Sequence, residues 1–138
     1  MNGGAKFALV GVSLLAFVLL IATNSYQDYG VVRAKVVDSL SIAESVKSCV
    51  EITYAKVGAF PVPTDDCRMI SAGYRDFSKA PKIDINTSGV IQITFGESYG
   101  PAAGRTLVLK PSAAELGKLT WSCSEGTLAK QYRPARCR

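Results

Sequence analysis

Four cysteines, Cys49, Cys67, Cys123 and Cys137, are the side chains of this sequence best suited to bond covalently with one another. An even number of thiols in a small chain with an N-terminal apolar segment points to disulfides in an oxidising compartment. Three pairings are open. The spacing favours Cys49 with Cys67 and Cys123 with Cys137, each closing a short loop worth roughly 3 kcal/mol in the chain-entropy account. No C-x-x-C pair occurs, so zinc is the weaker reading. The second chemical feature is positive charge. Lys130, Arg133, Arg136 and Arg138 crowd around Tyr132 near the end of the sequence. Such a cluster suits anions, either the phosphates of DNA or acidic groups on a neighbouring surface.

Other chemistry is thin. There is no histidine, which removes Ser-His and Cys-His nucleophile pairs and the commonest general base. Asp65-Asp66 falls short of a calcium cage. Asn86-Thr87-Ser88 forms a glycosylation-type sequon, a pattern short enough to recur by chance. With no metal set and no phosphate loop, no catalytic residue, metal or cofactor is expected, and the chain reads as a non-enzyme.

These groups need elements to position them. The chain has 138 residues, 48% hydrophobic and 20% charged, which suits about one domain and excludes disordered or collagen-like chains. The net charge is +5, and the first hundred residues balance nine Lys/Arg against nine Asp/Glu. The remainder carries seven against two, so the whole excess lies at the C-terminal end.

The N-terminal run is apolar on nearly every side: Phe7, Leu9, Val10, Leu14, Leu15, Phe17, Val18, Leu19 and Ile21, with no charge from Phe7 to Gln27. As a helix it would be roughly 30 Å long, about one bilayer core. It reads as a secretory signal peptide, as a permanent anchor, or as a helix held in the membrane and later buried against copies of itself. The anchor and the assembly helix are the favoured expectations. From Tyr29 the pattern turns one-sided. Val32, Val36, Leu40, Ala43, Val46, Val50 and Tyr54 recur at spacings of three and four, while Arg33, Lys35, Asp38, Glu44, Lys47 and Glu51 fall mostly off that stripe. One helix over roughly residues 5 to 54 follows.

Residues 55–88 read as an irregular connection. Gly89–Phe95, Arg105–Lys110 and Lys118–Cys123 alternate and predict antiparallel strands, with Ile91, Ile93, Phe95, Leu107, Leu109, Leu119, Trp121 and Cys123 facing one side. Trp121 is expected in the core, and Gly96–Gly104 and Pro111–Gly117 are expected to connect the strands. The predicted class is α+β, a long N-terminal helix packed on a small antiparallel sheet. Residues 1–27 would form a protruding apolar helix and 28–138 a globular head. The head would comprise an amphipathic helix over 28–54, a loop over 55–88, and the sheet with a disulfide-bounded C-terminal region over 89–138.

Two stretches resemble a known family. Tyr26-Gln27-Asp28-Tyr29 followed by Val32-Arg33-Ala34-Lys35-Val36 is similar to the junction of the apolar and amphipathic helices in type IVa pilins of bacteria. Leu119-Thr120-Trp121-Ser122-Cys123 and Lys130-Gln131-Tyr132-Arg133-Pro134-Ala135-Arg136-Cys137-Arg138 are similar to that family's last strand and disulfide-bounded terminal region. The resemblance implies a structural subunit of a type IV pilus, polymerising through its apolar helix into a surface filament for adhesion, twitching motility or DNA uptake. Its partners would be copies of itself, other pilins, the assembly machinery and the inner membrane before assembly, with DNA as a further candidate. Two positions depart from the pattern: Phe7 stands where the family has a glutamate, and Asn24 where it has a proline. The alternative expectation is a minor or tip pilin, or a membrane-tethered module that binds DNA or anionic surfaces through its basic C-terminal region.

Overall fold

A computed structural model describes residues 3–60, 65–67 and 80–138, without the side chains of 3–15, 21–28 and Leu116. A single helix, α1, runs from Gly3 to Val57. It holds no proline, and it ends where the Gly58 N–H donates to the Tyr54 carbonyl at 2.7 Å, a common helix stop. The chain forms two compact units, Met1–Val31 and Val32–Arg138. In the first unit Phe17, Val18, Leu19 and Leu20 are exposed. The rest of the expected assembly helix, Phe7, Leu9, Val10, Leu14, Leu15 and Ile21, has side chains outside the described residues. Among the described residues no helix is long and apolar enough to cross a membrane.

The second unit contains the core. Every residue of the predicted stripe, from Val32 to Tyr54, is buried. Among the described residues four strands, β1 (Lys82–Ile85), β2 (Ile91–Thr94), β3 (Thr106–Ala113) and β4 (Leu119–Glu125), pair antiparallel in sequence order. One sheet face offers Ile83, Ile85, Ile91, Ile93, Leu107 and Leu109, which form a single cluster with the helix stripe. Each such side chain taken from water contributes about 1.5–3 kcal/mol. The result is an α+β head, with the stripe of α1 and one face of a meander enclosing the core.

Two expectations change. The connection expected over 55–88 contains β1, which pairs Ile83 with Ile93 and Ile85 with Ile91. The first part of the connection expected over Pro111–Gly117 is still strand, β3 running on to Ala113 with Pro111 opposite Trp121. A proline is tolerated there because β2 has already ended at Ile91 opposite Leu109. Beyond that point β3 has a partner on one side alone, so no ladder bond needs the missing N–H. Cys49 of α1 is bonded to Cys67, which is helical with residues 65 and 66 and is fully buried.

Candidate functional site

β4 leads into the segment that closes the chain. Cys123 is bonded to Cys137, 14 residues on, in the 3-10 turn Ala135–Cys137. The loop between them is organised from within. Leu128 and Arg133 are buried inside it, Arg133 at 5% exposure. The Arg133 guanidinium donates from Nε to the Leu128 carbonyl at 2.8 Å, from Nη2 to Gly126 at 2.9 Å, and from Nη1 to Ser124. A planar fork of five donors is well matched to carbonyls that a curled loop cannot pair in a sheet. Outside this, Arg138 Nε donates to the Arg133 carbonyl at 3.2 Å.

The loop is also pressed onto β3. Leu128 N donates to the Thr106 carbonyl at 2.8 Å, and Thr106 N donates to Thr127 Oγ1 at 2.9 Å. Gly126 has φ +109, and a Cβ there would collide with the Thr106 carbonyl oxygen. No other residue fits this approach without shifting the backbone.

The basic cluster is therefore split. Arg133, expected among exposed cations, points inward and serves the loop's own carbonyls. Arg136 is exposed, but its Nη2 lies 2.9 Å from Glu44 Oε1 on α1. Lys130 and Arg138 are exposed, Lys130 at the start of the 3-10 turn Lys130–Tyr132. The four cations do not form one surface.

One flank of α1 makes the opposing wall. Lys47 Nζ lies 2.8 Å from Glu44 Oε2 and 5.4 Å from the Trp121 ring centre, a distance suited to cation–π attraction. Trp121 Nε1 donates to Glu51 Oε1 at 2.7 Å. Trp121 is thus half-buried at the rim rather than in the core, because its N–H needs a partner and finds one on the polar flank of the helix. Burial pushes the Glu44 carboxyl up, but Lys47 and Arg136 beside it outweigh burial and hold it below its ordinary value. Between helix and loop lies a recess of about 100 Å³ lined by Leu40, Glu44, Lys47, Leu109, Trp121 and Arg136. That is room for a few waters.

A second clamp escapes the sequence reading. Buried Ser39 shares a 2.8 Å hydrogen bond with the Tyr99 hydroxyl and donates to the Lys35 carbonyl, also at 2.8 Å. Lys35 Nζ reaches the Ser98 carbonyl at 2.8 Å. Ser39 stands beside the apolar stripe in sequence, which is the one signal that it is buried.

A long helix with a one-sided stripe, a four-stranded meander on that stripe and a disulfide-closed C-terminal loop make an α+β fold of the pilin kind. A family model described as pilin, a bacterial filament protein, matches residues 32–138, and the chain belongs to that family. It is a type IV pilin, a subunit that assembles with copies of itself into an extracellular pilus filament. The family is one of structural filament proteins, not of enzymes.

Proposed function

We propose that the chain enters a type IV pilus through its N-terminal helix, after a period in the inner membrane, and carries the disulfide-closed head on the filament surface. The observation that supports this is the exposure of four consecutive apolar residues, Phe17, Val18, Leu19 and Leu20, at 61–64%. Four successive helical positions cover a full turn, so no single packing partner covers them all. Lipid before assembly and neighbouring helices afterwards both would, and apolar burial is then kept in each state. Other pilins and the assembly machinery are the further partners this reading requires.

Of the filament's candidate tasks, adhesion, twitching motility and DNA uptake, the last has the least support in the head. Arg133 and Arg136 are engaged within the chain, which thins the cationic surface that a phosphate backbone would need. A tethered DNA-binding module is correspondingly less supported. Leu19→Glu tests the assembly reading. Filaments should disappear from electron micrographs of sheared cell-surface material while the head keeps its melting temperature and both disulfides. Filaments of normal yield in that variant would refute assembly through this helix.

A further inference from the structure

β1 and β2 are joined by Asn86-Thr87-Ser88-Gly89-Val90, so the glycosylation-type sequon lies at a hairpin turn. The pattern alone has little weight, because it is informative where the chain is a displayed surface loop. The fold supplies that context. Asn86, Thr87 and Ser88 are all exposed, beside β1, which among the described residues is an edge strand of the sheet.

The turn is also well held. Asn86 N donates to the Val90 carbonyl at 3.1 Å, and Gly89 N donates to the Asn86 carbonyl at 2.9 Å. Val90 N donates to Asn86 Oδ1 at 3.0 Å. The carboxamide is oriented through its oxygen, as asparagine side chains in turns commonly are. Among the described residues no hydrogen bond engages Asn86 Nδ2 or the Ser88 hydroxyl. Gly89, at φ +72, anchors the base of the turn. A Cβ there would meet side-chain atoms of Phe60 and Val50 at 3.0 Å, so the turn rests on the core while its tip faces solvent. Asp84, exposed on β1 two residues before the acceptor, adds a carboxylate that pairs with Lys82 at 3.0 Å.

We propose that Asn86 Nδ2 accepts an N-linked oligosaccharide. The two disulfides place the head in an oxidising, extracytoplasmic compartment, where a membrane transferase can meet it. The donor is a polyprenyl-diphosphate-linked oligosaccharide. Nδ2 attacks the anomeric carbon, the N–C bond forms as the C–O bond to the diphosphate breaks, and the lipid diphosphate leaves. A base on the transferase takes one amide proton, and nothing is oxidised or reduced. The Ser88 hydroxyl is the second recognition element; Thr87 occupies the position where any residue but proline is accepted. A sugar at this tip would also shield the edge of β1 from pairing with another chain.

The test is the intact mass of the subunit from the source cells, with peptide mapping around Asn86. It is applied to the native chain and to Asn86→Gln, Ser88→Ala, Ser88→Thr and Thr87→Ala. The native chain should exceed its peptide mass by whole sugar residues, all on the Asn86 peptide. Asn86→Gln and Ser88→Ala should lose the excess, while Ser88→Thr and Thr87→Ala keep it. A native subunit at its unmodified peptide mass overturns the proposal. So does an excess that survives Asn86→Gln, which would put the sugar on a hydroxyl. The subunit is taken from the membrane fraction as well as from filaments, so the result stands whether or not filaments form.

Discussion

The same helix meets opposite conditions in its two halves. Along Val32–Tyr54 the apolar residues return every three or four positions, and Val36, Ala43, Val46 and Val50 have 0% exposure. At Phe17–Leu20 they are consecutive, and all are 61–64% exposed. The first pattern is completed by the sheet of the same chain. The second asks for surroundings that one chain does not supply. Spacing, rather than total hydrophobicity, decides whether a helix is finished by its own fold or by assembly.

The strongest way to break this comparison is to place a charge in the later half as well. Val46→Asp should unfold the head, since an unpaired buried carboxylate costs several kcal/mol against a total stability of about 5–15 kcal/mol. Circular dichroism of Leu19→Glu, in contrast, should show an unchanged melt. A Val46→Asp head that melts like the parent would mean that the stripe is not the core.

Arg133→Ala sharpens the comparison by asking how far the head depends on bonds away from α1. It strands three carbonyls in a closed loop, and the expected loss is about 3 kcal/mol in denaturant titration. Arg133→Lys should recover only part, because an ammonium lacks the planar fork. A loss for Arg133→Ala no larger than that of an ordinary surface substitution would show that the disulfide and the contacts to β3 shape the loop without the guanidinium.

Trp121→Phe keeps most of the apolar area and removes the donor to Glu51, for an expected cost of about 1 kcal/mol. A double-mutant cycle with Glu51→Ala should return a coupling of that sign; zero coupling would remove Trp121 from the contacts that fasten α1 to β4.

The smallest effect belongs to Glu44. Its folded carboxyl is held below the ordinary value of 4.5, so its contribution is complete above that value and is lost as the pH falls through the depressed folded one. The side chain is 43% exposed, and solvent screening keeps the contribution below about 0.5 kcal/mol. Melting followed from neutral pH down through the carboxylate range should show a slightly steeper acid limb for the parent than for Glu44→Gln. Identical limbs would make the pairing of Glu44 with Lys47 and Arg136 energetically silent.

Several parts of this architecture are legible in the residues because they are periodic or local. Val32 to Tyr54 reads as one buried face, since helical spacing leaves few other arrangements. Ile91, Ile93, Leu107 and Leu109 announce half-buried strands by alternating. β1 escapes notice because Lys82–Ile85 completes only two alternations, too few to stand out beside the loop preceding it. Pro111 looks like the end of a strand, and it is acceptable only because β2 stops short of it. The Ser39–Tyr99 pair lies 60 residues apart in the chain, beyond the reach of any local pattern.

The basic cluster marks the boundary most clearly. The residues alone establish that the excess positive charge lies at the C-terminal end, that a long helix changes character near its middle, and that cysteines stand as sequence neighbours. Only the tertiary structure decides which cations remain on the surface. Arg133 is drawn inward because a curled loop presents carbonyls with no strand to pair them, and Arg136 is partly neutralised because folding brings Glu44 to it from 92 residues away. A charged side chain is committed by whichever polar groups the fold brings within hydrogen-bond reach, and those groups are set by topology rather than by neighbouring sequence.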